Sequence, residues 1–103
     1  VSVATAGICA EIAEERVRQD ERWGEQNWPD GTGSEIWREA ADTYRRECDK
    51  AHAAGYLTWC HIILEEVAEA LAEADPGKLR AELVQAAAVL VAHVEAIDRR
   101  VGA

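Results

Sequence analysis

With 103 residues, the chain is long enough for one domain with a modest core, and residues 1–103 read as a single domain. About half of it is hydrophobic (49%), and Phe and Met are absent, a balance that suits a helical globular protein and not a disordered one. Twenty acidic residues against eleven basic ones leave a formal charge of −9, which argues against a nucleic-acid polymer or an anionic membrane as partner unless a metal ion bridges to phosphate.

Because the acidic residues cluster, a divalent cation is the more natural counter-ion. Cys9, Cys48 and Cys60 are an odd number without a C-x-x-C, so buried free thiols in a reducing cytosol are expected instead of a zinc site or a disulfide framework. The longest strictly apolar run, Ala86 to Ala92, is seven residues, far short of a membrane span. No basic stretch followed by a long apolar one resembles a signal peptide, and a cytoplasmic location is expected.

The apolar spacing is helical throughout, and no segment alternates like a strand, so the expected class is all-α with four helices. The first is predicted over about Ile8 to Arg22, with Ile8, Ile12 and Ala13 on its apolar side. Arg16, Gln19 and Asp20 point roughly the same way as Ile12. They form either an internal hydrogen-bond network or the wall of a polar ligand site. The stretch WGEQNWPDGTG, Trp23 to Gly33, is a loop. Trp23 and Trp28 are costly to expose, so they either pin the loop to the bundle or offer an aromatic face to a nucleobase. In the second case Gln26, Asn27 or Asp30 would read the edge of the base. Gln19, Trp23, Asn27 and Asp30 are thus the candidate substrate-binding residues.

A capping box at Thr32-x-x-Glu35 predicts a second helix starting after Thr32 or Ser34. Its core stripe is Trp37, Ala41, Tyr44, Cys48 and Ala51, and it ends near Gly55. Arg38, Arg45, Arg46 and Lys50 lie on its outer face, either solvated or available to a phosphate. Thr58 caps a third helix running to about Ala74. Asp75–Pro76 reads as N-cap and first residue of a fourth. So short a connection predicts an antiparallel helical hairpin.

On the third helix Glu66, Glu69 and Glu73 lie within about 60° of one another. They border an apolar stripe of Ile63, Val67, Ala70, Leu71 and Ala74. On the fourth, Glu82 and Gln85 border a stripe of Leu79, Leu83, Ala87, Leu90, Val94 and Ile97. Counting outward from the turn sets Glu69 opposite Glu82 and Glu66 opposite Gln85. Gathered carboxylates repel, and a hard divalent cation such as Mg²⁺ or Mn²⁺ removes that penalty. The competing reading is a solvated acidic face. No Glu-x-x-His pair, Ser-His-Asp set or phosphate-binding Gly loop is present.

The segments EVAE (Glu66 to Glu69) and ELVQ (Glu82 to Gln85), with twelve residues between them, resemble the metal motif of the MazG-like all-α nucleoside triphosphate pyrophosphatases. That motif is Glu-x-x-Glu followed on the next helix by Glu-x-x-Asp. The stretch ERVRQDERWGEQNWPDGTG and the later LTW…LEEVAEALAEADPGKLRAELVQAAAVL are also similar to small MazG-like proteins of phages and actinobacteria. The resemblance implies a four-helix bundle completed by oligomerisation, as a homodimer or homotetramer. It implies a hydrolase that splits a (deoxy)nucleoside triphosphate into monophosphate and pyrophosphate with Mg²⁺ or Mn²⁺. Carried over by position, Glu66, Glu69 and Glu82 would be the catalytic metal ligands. Gln85 would be a fourth ligand where the family has Asp; its amide oxygen can coordinate but adds no charge. The alternative is a catalytically inactive homologue that binds nucleotide or serves as a helical protein-interaction module.

Overall fold

A computed structural model describes residues 1–102. It contains four helices, α1 (Val3–Trp23), α2 (Glu35–Ala54), α3 (Trp59–Leu71) and α4 (Pro76–Val101), and no strand among the described residues. The all-α expectation is met. The chain divides into two compact units, Gly31–Leu90 and Val1–Asp30 with the end of α4 from Val91 onward. No helix among the described residues is long and apolar enough to cross a membrane.

In the first unit by sequence, α1 starts earlier than its apolar spacing predicts. Ser2 caps it, its hydroxyl accepting from the Thr5 backbone N–H at 3.0 Å, which adds a turn ahead of Ile8. The Thr5 hydroxyl also donates to the Glu95 carboxylate of α4, and Ile8 and Val91 are buried. Arg16, Gln19 and Asp20 do form a network: Arg16 donates to Gln19 Oε1 at 2.7 Å and to Asp20 Oδ1 at 2.8 Å. That network is exposed and not internal. Trp23 and Trp28 are also exposed, 60% and 78%, so neither pins the loop. The Arg22 guanidinium lies 4.7 Å over the Trp23 ring instead.

The other unit is built on α2 packed along α3. Cys48 Sγ donates to the His61 carbonyl at 3.0 Å, and Arg45 meets Glu69 at 3.3 Å, so the two helices run antiparallel. Small residues make this approach possible: Ala41, Cys48 and Ala51 of α2 and Ala68 and Ala70 of α3 are all buried. The α2 stripe is therefore as expected, although Trp37 stays 37% exposed. Cys9 and Cys60 are exposed, so of the three free thiols only Cys48 is buried as expected. Burial, followed by the nearby Glu65 carboxylate, pushes the Cys48 thiol up to about 12.

Helix ends follow their local chemistry. Gly55, at φ 83°, closes α2, its N–H reaching the His52 carbonyl while the Tyr56 N–H reaches that of Ala51. Thr58 caps α3, with His61 Nδ1 accepting in return from the Thr58 backbone N–H. Asp75 Oδ2 accepts from the Lys78 N–H at 2.9 Å, and Pro76 opens α4.

Of the two starts expected for α2 the structure takes the second: Ser34 is the N-cap, and the Thr32 capping box does not form. Helix α3 stops at Leu71 instead of about Ala74, and both departures have one reason. The Thr32 hydroxyl donates across the unit to the Glu73 carbonyl at 2.6 Å, and the Gly33 N–H donates to that of Leu71 at 2.9 Å. The loop before α2 thus supplies the donors that end α3. Gly33 has φ +86°, and a Cβ there would lie 2.6 Å from the Ala74 Cβ, so only glycine fits.

Helix α4 is turned relative to its predicted stripe. Leu79 and Ala86 are buried and Glu82 and Val89 half-buried, whereas Leu83, Leu90 and Val94 are exposed. The same holds on α3, where Ala68 is buried and Val67 is exposed. Apolar periodicity locates a helix face but does not say which of two apolar faces the chain covers itself.

Candidate metal centre

The turn of α4 brings Glu82 inward, toward the carboxylates of α3. Glu66 and Glu69 stand one turn apart on α3, and one carboxylate oxygen from each of Glu66, Glu69 and Glu82 lies within 4.8 Å of the others. All three residues are half-buried. Acidic clusters on solvated faces are common, but two oxygens of this one are shut off from solvent. Glu66 Oε2 and Glu82 Oε2 are buried with no hydrogen-bond partner. An ionised carboxylate has only acceptors, so such an oxygen calls for a proton, a donor or a cation.

The electrostatics follow from that burial. Glu66 is held above the ordinary glutamate value of 4.5 by desolvation first, then by the charges of Glu65 and Glu82. Glu69 is also raised by desolvation, with Glu66 and Glu65 adding to it, although its hydrogen bond to Arg45 opposes the shift. Arg45 Nη2 sits 3.3 Å from Glu69 Oε1, and its Nη1 3.2 Å from Asp42 Oδ1. Its own pKa is raised, chiefly by the Glu69 bond. Arg45 pairs with only one carboxylate of the cluster, Glu69, and shares its charge with Asp42, so negative charge remains in excess.

The donor set suits a small hard cation. Glu66, Glu69 and Glu82 would hold such an ion through one carboxylate oxygen each, the three oxygens lying within 4.8 Å of one another. A cavity of about 400 Å³ adjoins the cluster, lined by Glu69, Glu73 and Glu82 on one side and by Arg38, Asp42 and Arg45 of α2 on the other. Arg38 is held in place by donating to the Gly33 carbonyl. These two arginines are the site residues that the sequence left unresolved. Their seven-residue spacing, which sets them on one line of the helix, was the available signal. Arg46, one residue from Arg45, bonds Thr43 on its own helix instead.

The remaining candidates lie elsewhere. Gln85 is exposed, one turn beyond Glu82. Gln19 lines a cavity of about 770 Å³ in the other unit, with Arg16, Asp20 and Gln26. Asn27 Nδ2 donates to Glu25 Oε2 at 2.9 Å, and Asp30, like Trp23, is exposed. Comparison with protein-family models, with curated proteins and with solved structures returns no match for this chain.

Proposed function

We propose that this chain is a metal-dependent (deoxy)nucleoside triphosphate diphosphohydrolase of the MazG-like kind, releasing monophosphate and pyrophosphate. The observation that carries this reading is the convergence of Glu66, Glu69 and Glu82 from two helices, with two buried carboxylate oxygens left without a partner. These residues would hold Mg²⁺ or Mn²⁺ on an α3–α4 hairpin that runs antiparallel. Such an ion would supply charge neutralisation for a triphosphate and acidification of water as the nucleophile. The chain's own part is positioning: three carboxylates fixed on helix backbones, and a cavity with cations on its far wall. The exposed loop around Trp23, Asn27 and Asp30, with Gln19, is the proposed base-recognition region.

A homodimer or homotetramer completes this reading. Leu64 and Val67 on α3 and Leu83, Leu90 and Val94 on α4 are 38–52% exposed, which leaves apolar faces for a second copy. The second reading, an inactive homologue that binds nucleotide or serves as a helical protein-interaction module, draws on Gln85, which stands exposed and uncharged where the motif has a carboxylate.

Purified protein incubated with each dNTP and Mg²⁺ or Mn²⁺ is expected to release pyrophosphate. Glu69→Ala should lower turnover at least about 100-fold with helicity, read by circular dichroism, intact. Saturable Mn²⁺ uptake without turnover of any nucleotide would leave the inactive homologue. Full activity in Glu69→Ala would move the chemistry away from this cluster.

A further inference from the structure

We infer that Arg45 is a displaceable counter-ion of the carboxylate cluster: it occupies Glu69 before a divalent cation arrives and afterwards turns to the phosphates of the ligand. This rests on the metal reading above and adds a role for a residue outside the carboxylate set. Arg45 divides its guanidinium between Asp42 on its own helix and Glu69 across the helix pair, at 3.2 and 3.3 Å. Both contacts are long for charge-assisted bonds, and the Arg45 side chain is half exposed, so the hold on Glu69 is weak. A divalent cation brings twice the charge to the same oxygens and displaces it readily.

What happens next is set by the cavity. Released from Glu69, Arg45 keeps Asp42 as a tether four residues from Arg38. Both arginines line the space that Glu69 and Glu82 close from the opposite side. Arg38 already has its direction fixed by the Gly33 carbonyl and retains N–H donors to offer. Two guanidiniums facing a carboxylate-held cation form a cleft for a polyphosphate chain, its oxygens bound by metal on one side and by forked donors on the other. The pairing with Glu69 also keeps the excess negative charge from growing while no cation is present. Arg46 and Lys50 do not line this cavity and have no such part.

The signature is a pair of effects of opposite sign. Mn²⁺ binding is followed by electron paramagnetic resonance, and Mg²⁺-tripolyphosphate binding by calorimetry in excess Mg²⁺. Arg45→Gln should tighten Mn²⁺ about 3- to 10-fold, because it removes a competitor and a positive charge, and weaken tripolyphosphate about 10-fold or more. Arg46→Gln, which removes the same charge one residue away, should change neither by more than about 2-fold. Arg45→Lys, which keeps the charge and loses the fork, should hold Mn²⁺ affinity near the wild-type value and still weaken tripolyphosphate. A merely structural Arg45 would weaken both ligands on substitution, and that result overturns the inference, as does an Arg45→Gln protein that binds both like wild type. Wild-type protein that takes up no Mn²⁺ overturns the metal reading together with this one. Normal Mn²⁺ uptake with an indifferent Arg45 overturns this one alone.

Discussion

A carboxylate oxygen taken out of water needs a proton, a donor or a cation, and at Glu66 and Glu82 the fold provides no donor. The consequence for stability can be signed. Glu66 and Glu69 both titrate above the ordinary glutamate value of 4.5 in the folded chain. Between that value and their raised ones, the folded state binds more protons than the unfolded state, so stability rises as pH falls through the window and is lost as pH rises through it. Metal-free protein is therefore expected to lose stability from these two groups as pH rises above 4.5. A divalent cation should relieve the same penalty. At a hundredfold excess over its Kd it adds about 2.7 kcal/mol, on the order of 10 °C in Tm for a chain of this size. Thermal melts with Mn²⁺ and with a chelator should show that gain at pH 7.5 and a smaller one at pH 5, where protons compete for the oxygens. A Tm that ignores Mn²⁺ at both pH values would leave the cluster without a cation.

At the scale of the helices, the contact between the loop and the end of α3 carries the clearest expectation. Gly33→Ala meets both a left-handed backbone and the Ala74 side chain, and should cost about 3 kcal/mol in chemical denaturation. Gly55→Ala, at φ 83° with open space around it, should cost only about 1 kcal/mol. If the two variants lose equal stability, packing against Ala74 contributes nothing. The same contact explains what was legible beforehand. Asp75–Pro76, Thr58 and Gly55 announce their helix ends because each acts on its immediate neighbours. The end of α3 did not announce itself, because its donors come from Thr32 and Gly33, some forty residues earlier in the chain. In the candidate site, helical spacing grouped Glu66 and Glu69 with Glu73, and the short Asp75–Pro76 connection set Glu82 against them, but spacing did not say that Glu73 stays out of the cluster. Arg45 was not separable from Arg46 until the direction of α2 against α3 was known.

For the whole chain, the buried set is mostly alanine: Ala41, Ala51, Ala68, Ala70 and Ala86, with Ile8, Cys48, Leu79 and Val91 as its larger members among the described residues. No aromatic ring is among them, while Leu83 and Leu90 lie exposed along α4. Oligomerisation is the proposed resolution, and Leu90→Glu should test it. Sedimentation should give a multiple of 11.3 kDa for the wild type and a single-chain mass for the variant. Equal masses for the two would take this face out of any interface. The alanine-rich core has a further consequence if chains complete one another. Alanine buries little apolar area, so a lone chain retains only a small margin of stability, and assembly supplies the rest. The fraction of competent molecules then depends on how many copies the cell contains. Doubling expression would more than double output at low abundance, and dilution alone would silence the protein without any inhibitor.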